Sequence, residues 1–140
     1  MIEHNAASMI SKIRDAVNKK IIAELEQNGV VDIVPSHGDI LSLLFHSYGM
    51  PISALAEKIN RTQPTVTVLV RKLEQLGYVE RRRDEQDKRV ILISLTEKGE
   101  QLGPTFRAVS NQLNEAIYGG LTLDEQAQLE DMLKRILNRL

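Results

Sequence analysis

The sequence predicts a mainly α-helical domain, residues 1–140, that carries one small β-hairpin. Apolar residues recur every three or four positions along most of the chain, which is the period of an amphipathic helix. That period changes to a β-branched, alternating pattern only around residues 78–95. The length of 140 residues suits a single domain, and the absence of cysteine excludes a disulfide framework, a cysteine zinc site and a thiol nucleophile.

The first two helices are bounded by recognisable end signals. A long helix is predicted over residues 8–28, and Asn28-Gly29 ends it, because glycine favours the position after a helix. The next helix is apolar on all sides, which predicts that it is buried. Ser36 is expected to cap its start, and Ser47 to Gly49 to end it.

The next two helices are short and close together. One is predicted from Ile52 to Ile59. Thr62 is expected to cap the following helix, with Pro64 in the first turn, where a missing N–H has no cost. Leu76-Gly77 closes this helix.

Two strands and two further helices complete the chain. The predicted strands, residues 78–81 and 90–95, flank a polar loop over residues 82–89. Thr96 caps a helix that extends to about Ala116, with a kink expected at Gly103-Pro104. Thr122 and Glu125 form a capping box at the start of the last helix. This order of elements predicts a winged helix-turn-helix, in which the helix of residues 62–76 enters the major groove of DNA and the hairpin is the wing.

The charge of the chain is unevenly distributed. The net charge is −1, yet residues 61–89 hold eight basic and five acidic side chains. A local basic segment can bind a polyanion although the whole chain is near neutral. A charged surface loop without a partner is the alternative interpretation.

The solvent face of the fourth helix has the chemistry expected of a base reader. No acidic residue occurs from Arg61 to Leu73, whereas an ordinary amphipathic helix would carry several. Threonine, glutamine and arginine can pair with thymine, adenine and guanine edges. The predicted DNA-binding residues on this helix are Thr62, Gln63, Thr65, Thr67, Val68, Arg71 and Lys72.

The wing adds a second set of predicted DNA contacts. Arginine suits a narrow minor groove, and an aspartate two residues earlier can orient its guanidinium through a bidentate pair. We therefore expect Asp87 to orient Arg89 in the minor groove, whereas phosphate is the expected target of Arg82 and Arg83. The predicted wing residues are Arg82, Arg83, Asp87, Lys88 and Arg89.

Several stretches resemble the MarR family of bacterial transcription regulators. They are residues 52–58, the run from Thr65 to Arg81 that contains Leu73-Glu74-Gln75-Leu76-Gly77-Tyr78-Val79-Glu80-Arg81, then Asp87-Lys88-Arg89 and Leu95-Thr96-Glu97-Lys98-Gly99. The order and spacing match over roughly residues 8–140. The resemblance implies an interlocked homodimer, a palindromic DNA operator and often a small anionic or phenolic ligand.

The resemblance also implies a division of labour along the chain. Residues 1–31 and 101–140 would form a helical dimerisation region, and residues 32–100 a DNA-binding lobe. A ligand pocket between them, where concave sites tend to form, would be lined by Ile13, His37, Phe45, Tyr48 and Phe106. Ordinary core packing is the alternative for each of these five residues.

The predicted function is therefore sequence-specific regulation of transcription, as a repressor, by a cytoplasmic homodimer that binds double-stranded DNA. The alternative is a winged-helix adaptor that binds protein instead of DNA. No catalytic constellation is apparent: Ser36, His37 and Asp39 are too close in sequence for a triad. No metal site is expected, because His37 and His46 lack the spacing of a metal pair. No membrane span is expected, because no run of about 18 apolar residues occurs. No cofactor is expected either.

Overall fold

The computed structural model describes all 140 residues and contains seven helices and one two-stranded sheet. The elements are α1 (Ala6–Gln27), α2 (Pro35–Leu44), α3 (Ile52–Ile59), α4 (Gln63–Gln75), β1 (Val79–Arg83), β2 (Ile91–Leu95), α5 (Glu97–Glu100), α6 (Gly103–Tyr118) and α7 (Leu123–Arg139). The predicted mainly helical fold with a hairpin wing is confirmed. None of the helices combines the length and the apolar character needed to cross a bilayer.

Three of the predicted helix caps are present, and one of them is Thr96, whose hydroxyl accepts the backbone N–H of Gly99 at 3.1 Å. The Thr62 hydroxyl accepts the backbone N–H of Thr65 at the start of α4. At α7 the Thr122 hydroxyl accepts the Glu125 N–H at 3.2 Å, and the Glu125 carboxylate accepts the Thr122 N–H at 2.9 Å. This reciprocal pair satisfies two of the N–H groups that every helix start leaves free.

The predicted cap at Ser36 is wrong. Helix α2 begins at Pro35, so Val34 takes the capping position. Proline favours the first helical position because its fixed φ angle suits a helix and its missing N–H would have no partner there. The backbone N–H of Val34 donates to Nδ1 of His37 at 2.9 Å, and the Ser36 hydroxyl instead accepts Nη2 of Arg61 at 3.2 Å.

The helix predicted from Glu97 to Ala116 is divided into two, so the expected kink is a complete break. Helix α5 ends at Glu100, and α6 begins at Gly103. Pro104 has no N–H to donate to the carbonyl of Glu100, and its ring would collide with that carbonyl in a continuous helix.

Strand β1 extends two residues further toward the loop than predicted, and β2 begins one residue later than predicted. Strands β1 and β2 pair antiparallel from Val79↔Leu95 to Arg83↔Ile91. Arg82 and Arg83 are thus strand residues, not loop residues. An isolated bridge between Met50 and Ile93 adds the α2–α3 connection to the other edge of β2. The wing is consequently joined to the helical part of the lobe at its base.

One continuous core holds these elements together. It contains fifteen buried apolar residues, most of them on α2, α3, α4 and the hairpin. Leu25 of α1 and Val109 of α6 extend the same core into the terminal helices. Helix α4 itself packs against α2, α3 and the hairpin.

A large apolar surface on the terminal helices is not covered in the single chain. No residue of α7 is buried. The exposed large apolar side chains of α1, α6, α7 and the adjoining C-terminus are Met9, Ile10, Ile13, Ile117, Leu123, Met132, Leu133, Ile136, Leu137 and Leu140. An exposed apolar surface of this extent indicates an interaction face.

Candidate nucleic-acid interface

Helix α4 presents one face to the core and the opposite face to solvent. Val66, Val70 and Leu73 have no exposed surface. With 3.6 residues per turn, Val68 lies almost diametrically opposite them, and 62% of its surface is exposed. Arg71 is also exposed, one turn further along. The helix is thus anchored by three aliphatic residues while its outer ridge is free to contact a ligand.

Three of the predicted DNA-binding threonines use their hydroxyls within the helix. The Thr62 hydroxyl donates to the Thr65 hydroxyl at 2.9 Å, and the Thr67 hydroxyl donates to the carbonyl of Gln63 at 2.9 Å. The side chains of Gln63 and Arg71 make no hydrogen bond within the protein. Arg71 is therefore a free polar group on the outer ridge, and Gln63 is one at the N-terminal tip of the helix.

The wing tip contains the predicted aspartate–arginine pair. Asp87 Oδ1 accepts Nε of Arg89 at 3.1 Å, and Asp87 Oδ2 accepts Nη2 of Arg89 at 3.3 Å. Asp87 also accepts the backbone N–H of Arg89. The hydrogen bonds from Arg89 hold the pKa of Asp87 below its ordinary value. Arg89 is thereby oriented while its guanidinium stays highly exposed.

Other polar bonds shape the loop between the strands. Asp84 accepts the backbone N–H of Gln86 at 3.0 Å, and Arg83 Nη1 donates to the carbonyl of Lys88 at 2.9 Å. These bonds between polar groups close the tip. The loop is consequently a polar projection with a defined backbone, as a groove-binding wing requires.

Arg82 makes contacts that the sequence did not suggest. Its Nε donates to the Ser94 hydroxyl at 3.3 Å, and its Nη2 donates to the carbonyl of Tyr48. Tyr48 lies in the α2–α3 connection, next to the bridge between Met50 and Ile93. The Arg82 guanidinium thus joins the wing to the helical part of the lobe.

Arg81 fixes the hairpin to the end of the recognition helix and was not among the predicted site residues. Its Nε donates to the Glu74 carboxylate at 2.9 Å. The sequence contained a signal for this ion pair. Glu74 follows the acid-free stretch of α4, and three arginines follow Glu74 in β1. Nothing in the local pattern, however, shows which arginine turns back toward the helix.

The five predicted pocket residues do not line one cavity in the protomer. Phe45 and Phe106 pack together, with ring centroids 5.4 Å apart. Ile13 lies elsewhere, in a small apolar groove between α1, α6 and α7, and Tyr48 is almost fully exposed. The fifth residue, His37, is buried at the start of α2.

A cleft of about 590 Å³ does open beside Phe45, between the end of α2 and the start of α6. Its walls include Arg107, His46 and Ser110, and of the predicted pocket residues only Phe45 lines it. An arginine next to an aromatic ring suits a small aromatic anion. Arg107 was missed because no periodicity or motif distinguishes it from other surface arginines.

The buried imidazole of His37 is held in its neutral form. Burial lowers its pKa, and the positive charge of Lys72 lowers it further. The hydrogen bond from Val34 acts in the same direction, because Nδ1 can accept it only when that nitrogen is unprotonated. The start of α2 and the recognition helix therefore meet at a neutral histidine.

Comparison with known proteins identifies relatives of one kind. The model of the MarR family matches residues 33–91. The transcriptional regulator SarZ of Staphylococcus haemolyticus is 36% identical over 87 residues, a match that spans 62% of this chain and only 58% of SarZ. MhqR of Bacillus subtilis, also a transcriptional regulator, is 27% identical over 91% of this chain and 86% of its own. The Staphylococcus aureus MepR structure, solved as a complex with DNA, superimposes with a TM-score of 0.87 at 27% identity, over 100% of both chains.

Proposed function

Because this chain belongs to the MarR family of winged helix-turn-helix transcription regulators, we propose that it regulates transcription by binding double-stranded DNA as a homodimer. Residues 32–100 form the DNA-binding lobe, and residues 1–31 and 101–140 the dimerisation region. The chain binds and does not catalyse, and it acts as a repressor in the cytoplasm, where its operator lies.

One observation carries the proposal: the solvent face of α4 has no acidic residue between Arg61 and Leu73. A carboxylate there would be repelled by the phosphates that line both sides of the major groove. Helix α4 instead offers Gln63 at its N-terminal tip and Arg71 on its outer ridge, and these side chains can pair with adenine and guanine. A partner protein would impose no such exclusion of acidic residues.

The wing supplies the second contact. Arg89, oriented by Asp87, enters the minor groove, with Lys88 assisting. Arg83 neutralises a phosphate at the edge of the wing. Arg82 is not assigned to phosphate, because its guanidinium is bonded to Tyr48 and Ser94.

The operator should be a pseudo-palindrome, because a two-fold symmetric dimer requires a two-fold symmetric site. Its half-site centres should lie about one helical turn, ~10 base pairs, apart. Selection of bound duplexes from random-sequence DNA, followed by footprinting, measures this spacing. A protected site with a single asymmetric half would contradict the model.

Arginine substitutions test the assignment of roles. On the selected duplex, Arg71→Ala should cost about 1–3 kcal/mol, and less on a scrambled duplex. Arg83→Ala should weaken binding of both duplexes equally. It should also reduce the slope of log K against log salt concentration by about one unit for each phosphate that is no longer neutralised. Arg135→Ala, which removes an exposed arginine of α7, is the control and should change neither. If no variant affects a duplex selectively, or if no duplex is bound, the protein-binding adaptor becomes the better interpretation.

We further propose that the cleft beside Phe45 binds a small aromatic carboxylate that releases the DNA. Phe45 supplies an aromatic wall, held in place by its packing against Phe106, and Arg107 supplies the positive charge. Titration with 4-hydroxybenzoate should weaken binding of the selected duplex, and Arg107→Ala should abolish the response while leaving unliganded DNA binding intact. An undiminished response in that variant would exclude this cleft as the effector site.

A further inference from the structure

Val68 is an exposed aliphatic side chain that the fold does not explain. Between residues 35 and 100, Tyr48 and Val68 are the only exposed large hydrophobic residues. The other such residues lie on α1, α6 and α7, at the termini, or in the α1–α2 connection. Valine is also a weaker helix former than most residues that could occupy a solvent-facing position. Neither core packing nor helix propensity therefore accounts for valine here.

The position of Val68 is the centre of the outer ridge. It lies one turn after Pro64 and one turn before Arg71, directly opposite the buried Val66 and Val70. In a helix-turn-helix, residues in the N-terminal part of this helix approach the base edges most closely. The isopropyl group of Val68 is thus placed where bases, rather than phosphates, are within reach.

The chemistry of an exposed isopropyl group selects one feature of the major groove. Thymine carries a C5-methyl group there, and the remaining edge atoms of all four bases in that groove are hydrogen-bond donors or acceptors, apart from a C–H of cytosine. A valine against a donor or acceptor would leave that atom without water or a partner, which costs free energy. When the same valine packs against a thymine methyl group, the apolar surfaces of both the valine and the methyl group are removed from water.

The hydroxyl protons of the neighbouring Thr62 and Thr67 are not free to pair with a base. The hydroxyl proton of Thr67 is used by the Gln63 carbonyl, and that of Thr62 by Thr65. Of the free polar side chains, Arg71 follows Val68 one turn later on the outer ridge, whereas Gln63 lies at the N-terminal tip of the helix. The outer ridge therefore places one exposed apolar group, Val68, next to an arginine that can pair with a base.

We propose that Val68 determines specificity by packing against the C5-methyl group of a thymine in each operator half-site. This inference rests on the proposed DNA-binding function and specifies which base chemistry the centre of α4 recognises. The contact requires no hydrogen bond from Val68. It predicts that the preference for thymine at this position depends on the C5-methyl group alone.

Deoxyuridine substitution tests the proposal because it removes only the methyl group of thymine. Each thymine of the selected operator is replaced in turn, symmetrically in both half-sites, and the dissociation constant is measured by fluorescence anisotropy. At the thymine that contacts Val68, binding should weaken about fourfold per half-site, the worth of one buried methyl group. Replacement at the other thymines should have a smaller effect.

Val68→Ala is the deciding variant. Because Val68 is exposed and alanine favours helices, this variant should stay folded and keep its salt dependence. It should bind thymine and deoxyuridine duplexes almost equally. Val31→Ala, which shortens another exposed valine in the α1–α2 connection, is the matched control and should retain the wild-type preference.

The outcomes separate the inference from the function on which it rests. A deoxyuridine penalty that Val68→Ala removes and Val31→Ala retains supports the proposal. Specific DNA binding without any deoxyuridine penalty, or with a penalty unchanged in Val68→Ala, overturns the proposal but leaves the DNA-binding function intact. Failure to select any preferred duplex overturns both.

Discussion

The buried imidazole of His37 closes the start of α2 in only one protonation state. Its Nδ1 accepts the Val34 N–H, and protonation would place a donor against that donor. Burial and the charge of Lys72 lower its pKa below the value of about 6.5 expected in the unfolded chain. Between the two pKa values the unfolded chain binds a proton that the native chain does not.

We predict a corresponding loss of stability in mild acid. The stabilisation from neutral His37 is complete above about pH 6.5 and is lost as the pH falls from there through the lower pKa of the folded state. His37→Asn, whose side-chain oxygen can still accept the Val34 N–H, should remove this part of the pH dependence. Urea unfolding from pH 7.5 to 5 measures it. His46→Asn, at an exposed histidine just after the same helix, should keep the wild-type slope; an unchanged slope in His37→Asn would contradict the assignment.

Gly99 is required by a close approach of two backbones. A Cβ at this position would collide with the carbonyl oxygen of Tyr78, a clash that only backbone movement could relieve. Thr96, three residues earlier, holds the same junction, since its hydroxyl donates to the Gly77 carbonyl and accepts the Gly99 N–H. The run from Leu95 to Gly99 thus seats α5 on the start of β1.

We predict that Gly99→Ala destabilises the fold by about 1–3 kcal/mol, the usual cost of overpacking a filled site. Thermal or urea unfolding measures the change. Gly120→Ala adds the same methyl group where nothing lies within 4 Å, and it should change stability by less than about 0.5 kcal/mol. Equal effects of the two substitutions would show that the contact with Tyr78 does not determine the cost.

At the scale of elements, the wing is held by its base as well as by its own strand pairing. Arg82 donates to Ser94 within the sheet and to the Tyr48 carbonyl in the α2–α3 connection. Beside it, Met50 and Ile93 exchange backbone hydrogen bonds of 3.0 and 2.8 Å. The orientation of the wing relative to the helices therefore depends on a side chain in the middle of β1.

We predict that Arg82→Ala loosens this junction at a cost of about 1 kcal/mol, the net value of a typical hydrogen bond. Amide hydrogen exchange should accelerate at Met50 and Ile93. Arg83→Ala removes the neighbouring guanidinium, which bonds to Lys88 at the tip, and should leave exchange at Met50 and Ile93 unchanged. If the two variants affect the same amides, Arg82 has no separate role at the base of the wing.

The elements that the sequence predicted best are those defined by local signals. Helix α3 has the predicted bounds, and the caps at Thr62 and Thr122 are present because capping depends on residues three positions apart. The start of α2 was misassigned because Ser36 is a good cap in isolation, whereas Pro35 shifts the helix start to an earlier residue.

The long-range contacts could not be predicted in the same way. The pairing of Asp87 with Arg89 follows from their spacing of two residues, and the structure contains it. Arg82 and Tyr48 are 34 positions apart, and Arg107 reaches the cleft beside Phe45 only through the packing of α6 against α2. Amino-acid type and periodicity carry no information about which surface arginine meets which distant carbonyl or ring.

At the scale of the whole molecule, the apolar surface of the terminal helices determines how the chain exists in solution. Met132 and Ile136 are about half exposed, Leu137 is 70% exposed and Leu140 98%. Burying such a face is favourable by roughly 25 cal/mol per Å² of apolar area. In a homodimer the same faces of two copies cover each other, and the two recognition helices are held at a fixed separation.

We predict that this face holds an obligate homodimer, with an interface above about 2,000 Å². Sedimentation should show a dimer at micromolar concentration, and the thermal midpoint should rise with protein concentration, because association stabilises the folded state by mass action. Met132→Glu combined with Ile136→Glu should dissociate or unfold the dimer, since each protomer would place two charges in an apolar interface. Glu130→Gln, a polar change on the same helix, is the control and should remain dimeric. A stable, folded wild-type monomer at micromolar concentration would contradict the prediction and would leave a palindromic operator without its physical cause.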